Sequence, residues 1–323
     1  MASMRILSGI QPSGKLHLGN YFGMMKPAIE LQAGGDAYLF IANYHALTTV
    51  SDPDFLRQAT LDVALDFLAC GLDPEQSVLF RQSEVPEVTE LTWLLSTVTP
   101  MGLLERCHSY KDKIAQGLSA NHALFAYPVL MASDILAYRS THVPVGKDQK
   151  QHVEVTRDIA IRFNNSFGEV FTIPEPLIRD EVAVIPGVDG QKMSKSYDNH
   201  IELFGSKKDT RARIMRIVTD STPLEEPKDP DTCNVMALYR LVASADEVAQ
   251  MEDSYRAGGF GYGDAKKALF EKVWEMLEPF REKREALAND LDGVEDILRT
   301  GADKAKQEAR HTLNAARAAI GID

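Results

Sequence analysis

Short apolar runs and amphipathic stretches alternate along the first 200 residues. MRILSGI at 4–10 reads as a buried strand, and YLFIANY at 38–44, SVLFR at 77–81, HVPV at 142–145 and VAVIP at 182–186 read similarly. Between them apolar positions recur at helical spacing. The clearest helix takes Ser51 as its N-cap with Pro53 near the first turn, lines Leu56, Ala59, Val63, Phe67 and Cys70 along one face, and ends at Gly71. Strands spaced by helices predict an α/β fold, a parallel sheet covered on both faces. From about residue 207 the pattern changes. RLVASADEVAQMEDSYR, DAKKALFEKVWEMLEPFREKREALAND and TGADKAKQEARHTLNAARAAIG all carry helical spacing, and PLEEPKDPDT at 223–232 reads as a linker or exposed loop.

Composition narrows the class. With 323 residues the chain exceeds what one ordinary core organises, which predicts two domains or one large domain with an appended bundle. Apolar residues at 44% and charged residues at 25% suit a globular protein. No apolar stretch approaches the ~20 residues that span a bilayer, and MASMRILSGI is too short an apolar start for a secretory signal, so the expected location is cytoplasmic. Cys70, Cys107 and Cys233 are far apart and form no C-x-x-C pair, which argues for core packing over a disulfide framework or a zinc site. Thirty-five basic against 47 acidic residues make an acidic protein, so a nucleic-acid partner would need a local basic patch.

Three segments carry candidate chemistry. GIQPSGKLHLGNYFGMMKPAIELQ at 9–32 leaves the first strand through a glycine-permissive turn, and after Gly19 becomes an amphipathic helix whose amino end suits phosphate. Its spacing is neither that of a P-loop nor that of a dinucleotide fingerprint. In FAYPVLMASDILAYRSTHVPVGKDQKQHVEV at 125–154, Pro128 opens a helix that sets Met131, Asp134 and Tyr138 on one face. A carboxylate on an inward face needs hydrogen-bond donors, from protein or from ligand. QKMSKS at 191–196 places Lys192 and Lys195 close together with serines beside them. Two such ammonium groups repel unless they share a polyanion, and a triphosphate is the obvious small one.

PSGKLHLGN at 12–20 resembles the first signature of the class I aminoacyl-tRNA synthetases, and KMSKS at 192–196 is identical to their second. SGIQPSG, YPVLMASDILAY and VPVGKDQKQHVEVTRDIA resemble the bacterial tryptophan branch of that family in particular. The resemblance implies a Rossmann-like catalytic domain at 1–205 and a helical tRNA (anticodon)-binding domain at 206–323, whose last helix can pack back on the catalytic domain. It implies a homodimer, with L-tryptophan, ATP and tRNA(Trp) as substrates, Mg²⁺ bound with the ATP phosphates, and no metal site of the protein's own. His17 and Asn20 would hold the phosphates, with Gln11, Pro12, Ser13 and Gly19 lining the nucleotide. Gly146, Lys147, Asp148 and Val184 would meet its ribose and adenine. Lys192 and Lys195, with Met193, Ser194 and Ser196 of the same loop, would close over the β- and γ-phosphates, and Lys111 and Lys113 would belong to another phosphate-contacting segment.

An indole presents one N–H on a large apolar body, so its site wants one acceptor at the foot of an apolar slot. Asp134 fits that role, with Met131 and Tyr127 beside it, and Gln149 either orients the amino-acid head group or merely holds its loop. The sequence departs from the family pattern at Lys147, where an acid is more common, at Leu7, where an aromatic is, and at Tyr197, where an acid is. Basic residues for tRNA are offered by SKKDTRARIMR at 206–216, with Lys207, Lys208, Arg211, Arg213 and Arg216, and by Lys304, Lys306, Arg310 and Arg317 in the last helix. The alternatives are a tyrosyl enzyme of the same fold, a nucleotidyltransferase, and a non-catalytic tryptophan- or tRNA-binding paralogue.

Overall fold

The computed structural model describes residues 4–34, 36–107, 121–146, 150–177 and 185–323. The chain divides into two compact units. One comprises residues 1–14, 28–179 and 290–323, the other residues 15–27 and 180–289.

The first unit is built on five parallel strands, β1 (Arg5–Ile10), β2 (Asp36–Ile41), β3 (Ser77–Arg81), β4 (His142–Pro144) and β5 (Glu175–Leu177), in the order β3-β2-β1-β4-β5. Arg5 to Ile10 pair residue for residue with Asp36 to Ile41, and Ala37 to Ile41 with Ser77 to Arg81. β1 therefore has β2 and β3 on one side and β4 and β5 on the other. The crevice beyond its carboxyl end is where open α/β sheets take ligands. Leu7, Leu39 and Ile41 are buried to 1% or less, as a sheet covered on both faces requires.

Local signals placed several boundaries and misplaced others: the strand expected over 38–44 is Asp36–Ile41, with Asn43–Ala46 helical, and strand Glu175–Leu177 was not expected. The helix expected from Ser51 is Pro53–Ala69, capped by Asp52, whose carboxylate accepts from the N–H groups of Asp54 at 2.9 Å and Phe55 at 3.2 Å. The helix expected to open at Pro128 is His122–Ala137, capped by Asn121, with the proline inside it. A proline interrupts only one helical hydrogen bond, and the burial of Val129, Ala132, Ile135 and Leu136 outweighs that loss. The strand expected at 182–186 falls mostly outside the described residues, and Pro186 makes an isolated antiparallel bridge to Lys192. The three cysteines are free and buried.

The last helix, Leu291–Ile320, lies along β3 through small residues. A Cβ on Gly301 would come within 1.9 Å of the Leu79 carbonyl oxygen, so only hydrogen fits there. Ion pairs flank the seam: Arg81 with Glu295, Arg5 with Glu308 at 2.9 Å, Arg310 with Glu87 at 2.8 Å and Arg317 with Glu90 at 2.7 Å.

The second unit holds the helices Lys207–Met215, Asn234–Val242, Ala245–Ala257 and Tyr262–Ala288. The stretch RLVASADEVAQMEDSYR is broken at Ser244, which forms a reciprocal capping box with Glu247 and starts a new helix. In the 223–232 loop Lys228 is buried, its ammonium donating to the carbonyls of Pro223, Leu224 and Glu226. Among the described residues no helix is long and apolar enough to cross a membrane.

Candidate active site

Asp134 lies on the inner face of His122–Ala137 and is 1% exposed. Gln82, the first residue after β3, donates its amide hydrogens to both carboxylate oxygens, at 2.9 and 2.8 Å. The Gln82 amide cannot be turned over, because its oxygen accepts the N–H groups of Tyr44 at 3.0 Å and His45 at 3.3 Å. His45 Nε2 sits 2.8 Å from Asp134 Oδ2 and carries the hydrogen, since an ionised carboxylate only accepts. Asn43 and Ser83 tie the two turns together, Ser83 N–H to Asn43 Oδ1 at 3.0 Å and Asn43 Nδ2 to Ser83 Oγ at 2.7 Å.

A carboxylate has about four acceptor positions, and these donors leave room for one more on Asp134. Burial pushes the Asp134 carboxyl up, while the hydrogen bonds and charge of His45 and the bond from Gln82 pull it back. Tyr127 and Met131 share the Asp134 face at i−7 and i−3 and are half-buried. The Tyr127 hydroxyl lies 2.8 Å from His152 Nε2, and its ring stands edge-on to His45. The result is a buried anion held by fixed donors, beside an aromatic and a thioether. Such a place suits a ligand that is apolar with a single N–H.

The second unit contributes the other chemistry. Here Leu18 N–H donates to Ile201 O at 3.0 Å and Leu203 N–H to Leu16 O at 2.8 Å, so the segment around His17 is paired with the chain just beyond KMSKS. His17 caps the helical run that begins at Leu18. Its Nδ1 accepts from Asn20 N–H at 3.2 Å, and its own N–H donates to Asn20 Oδ1 at 3.1 Å. The run expected as one amphipathic helix contains a π-helical turn over Tyr21–Met25, a feature frequent at functional sites. Met193 is buried, and its sulfur accepts from Gly19 N–H at 3.2 Å. A Cβ on Gly19 would meet His17 at 2.9 Å and Met193 at 3.2 Å.

Asn199 organises the KMSKS loop from within. It is 1% exposed, its oxygen accepts Ser194 N–H at 2.7 Å, and its amide donates to Lys192 O at 3.0 Å and Asp189 Oδ1 at 2.8 Å. Asp198, in the left-handed region at φ 48°, is held by Arg213 through its carbonyl and its carboxylate, both at 2.6 Å. Tyr197 is exposed, and the first acid after KMSKS is Asp198. Lys192 and Ser196 are exposed, whereas Lys195 is half-buried and its ammonium pKa is lowered by that burial.

Burial, then the charge of Lys195, then His200, hold the His17 pKa down to about 4 from 6.5. At neutral pH His17 is uncharged, and with Nδ1 accepting, its hydrogen is on Nε2. The unfolded chain binds this proton below pH 6.5 and the folded chain only near pH 4, so the contribution is complete above pH 6.5 and is lost as pH falls toward 4. That window is worth up to about 3 kcal/mol. Urea midpoints measured from pH 7 to pH 4 should fall more steeply for the natural chain than for His17→Ser, which keeps a capping oxygen and does not titrate. Equal slopes would remove His17 from the acid sensitivity.

Gln11, Pro12 and Ser13 form the turn leaving β1, with Ser13 N–H to Gln11 O at 2.9 Å, and Gly146 follows β4. Lys111, Lys113, Lys147, Asp148, Gln149 and Val184 lie outside the described residues. Leu7 is 1% exposed within the core cluster of Tyr38, Phe40 and Phe80. His45, Gln82, His152, Asn199, His200 and Arg213 join these sites without having been singled out as parts of them. The sequence signal available was positional: His45 and Gln82 each come soon after the carboxyl end of a strand.

A family model described as tRNA synthetases class I (W and Y) matches residues 1–278. The tryptophan–tRNA ligase of Rhodopirellula baltica is 56% identical over 319 residues, covering 99% of this chain and 100% of that protein. That of Fusobacterium nucleatum is 54% identical, with 98% of each chain covered. Among solved structures, tryptophanyl-tRNA synthetase from Campylobacter jejuni complexed with ADP and tryptophan is 49% identical. It superposes with a TM-score of 0.93 over 98% of this chain and 100% of that one.

Proposed function

We infer that this chain, which belongs to the class I tRNA synthetases of the tryptophan and tyrosine group, is an ATP-dependent tryptophan–tRNA ligase. The tryptophan carboxylate attacks the α-phosphorus of ATP. One P–O bond forms, the bond to the bridging oxygen breaks, and its electron pair leaves with pyrophosphate. A hydroxyl of the terminal tRNA ribose then takes the acyl group and AMP departs. No covalent enzyme intermediate is needed, so the protein's work is positioning and charge stabilisation.

That work has two parts, holding the amino acid and holding the nucleotide. In the first, the indole N–H is received by Asp134, with Tyr127 and Met131 along the ring and Gln149 toward the head group. In the second, neutral His17 donates from Nε2 to a phosphate oxygen, and Asn20 keeps it in that tautomer. Lys192 and Lys195 close over the departing pyrophosphate on a loop shaped by Asn199, with Met193, Ser194 and Ser196 lining it. Gln11, Pro12, Ser13, Gly19, Gly146, Lys147, Asp148 and Val184 line the nucleotide, and Lys111 and Lys113 reach its phosphates. Mg²⁺ bound with the ATP phosphates would share the neutralisation of their charge.

The helical part from residue 206 is proposed to hold the tRNA, with 206–289 in the second unit and 290–323 packed in the first. Exposed Lys207, Lys208, Arg211 and Arg216 are the better phosphate contacts, because Arg213, Arg310 and Arg317 are engaged with Asp198, Glu87 and Glu90. A homodimer in the cytoplasm completes the proposal.

The observation that carries the reading is the backbone pairing of Leu16–Leu18 with Ile201–Leu203, which fixes His17 and KMSKS side by side in one unit. The test is exchange of labelled pyrophosphate into ATP with each amino acid in turn. Exchange should depend on tryptophan, with phenylalanine slower by on the order of 10⁴. Exchange with tyrosine alone would move the assignment to the tyrosyl branch, and none with any amino acid would favour a non-catalytic paralogue.

A further inference from the structure

His200 lies between two fixed points of the backbone. Asn199 before it is the hub of the KMSKS loop, and Ile201 after it accepts the N–H of Leu18. The imidazole is thereby held beside that of His17, ring centroids 5.8 Å apart and tilted by 49°. Its Nδ1 is buried and has no hydrogen-bond partner among the described residues. A buried polar nitrogen left unpaired is unfavourable, which calls for a partner that comes with a ligand.

We propose that His200 is a further phosphate-binding group of this site, an imidazole that takes up a proton from solvent when a polyphosphate arrives and donates it as a charge-assisted hydrogen bond. The proposal rests on the reading of His17 and KMSKS as the polyphosphate site. The groups that face His200 support it. Lys195 and Arg213 bring positive charge, and the two carboxylates, Glu202 and Asp198, are already engaged with Lys15 at 3.1 Å and Arg213 at 2.6 Å. Burial first, and Arg213 next, hold the His200 pKa below 6.5, so the ring is neutral in the free protein at pH 7. An arriving polyanion reverses the field that keeps it so. His17, held down to about 4 in the free protein, is the harder of the two rings to protonate, so the two imidazoles divide the work.

The consequence is proton-coupled binding, read by calorimetry of ATP binding in two buffers of different ionisation enthalpy. Between pH 8 and pH 6 the natural chain should gain about tenfold more affinity than His200→Gln, with proton uptake that the variant lacks. Comparing the two proteins removes the nucleotide's own protonation. A second measurement needs no variant: in the NMR titration of the histidine side chains, inorganic tripolyphosphate should raise the His200 pKa by about one unit or more. Equal proton uptake in both proteins, or a His200 titration unmoved by tripolyphosphate, overturns the role of His200 and leaves the polyphosphate site standing. Failure of the natural chain to bind ATP at any pH overturns the site and this inference with it.

Discussion

Lys195→Ala should lower tryptophan-dependent pyrophosphate exchange by on the order of 10²–10³-fold, the cost of one preorganised charge on a developing anion. Negative charge accumulates on pyrophosphate as the α-phosphorus bond breaks, so an ammonium held at that place stabilises the transition state more than bound ATP. Burial has already stripped Lys195 of part of its hydration, and polyphosphate oxygens replace it. The loss should therefore appear in kcat, with the KM for tryptophan changed only a fewfold. Lys195→Arg should recover part of the rate, because the charge returns in a planar fork of different reach. Wild-type exchange in Lys195→Ala would remove the loop from pyrophosphate departure.

At the other site, replacing Asp134 should cost more. With alanine there, kcat/KM for tryptophan should fall by about 10³ or more, and the preference for tryptophan over phenylalanine should collapse from the 10⁴–10⁵ range toward what ring size alone provides. Two further donors lose their partner in that variant. Gln82 and His45 remain buried, each costing about 1–3 kcal/mol, so the thermal midpoint should drop as well. Asp134→Asn separates these effects only in part. An asparagine keeps the volume but offers one oxygen where two now accept, and its N–H₂ must face Gln82 or His45, both donors. It should fold better than the alanine variant and still lose most tryptophan activation. Full activity in Asp134→Asn would show that the indole N–H is received elsewhere.

The sequence determined the elements that depend on near neighbours. The runs of β1, β2 and β3 are legible because a doubly covered parallel sheet is apolar along most of its length, whereas β5, which opens on the exposed Glu175, was not; KMSKS is legible because two lysines at that spacing have few structural uses. It also marked Asp134, since a carboxylate on a helix's inner face needs a reason. Even so, local rules misassigned Ser51 and Pro128, because neighbouring residues offered a better cap and a buried face overrode a helix breaker. Tertiary structure alone decided what completes the sites. Gln82 and His45 are 52 and 89 residues from Asp134, and meet it only because β2 and β3 are adjacent and release their chains at the same edge. His17 and His200 are brought ring to ring by four backbone atoms that no side-chain pattern records. Periodicity reports which face of an element is buried, but the partner that face meets is set by strand order and register, and these arise only when the whole sheet closes.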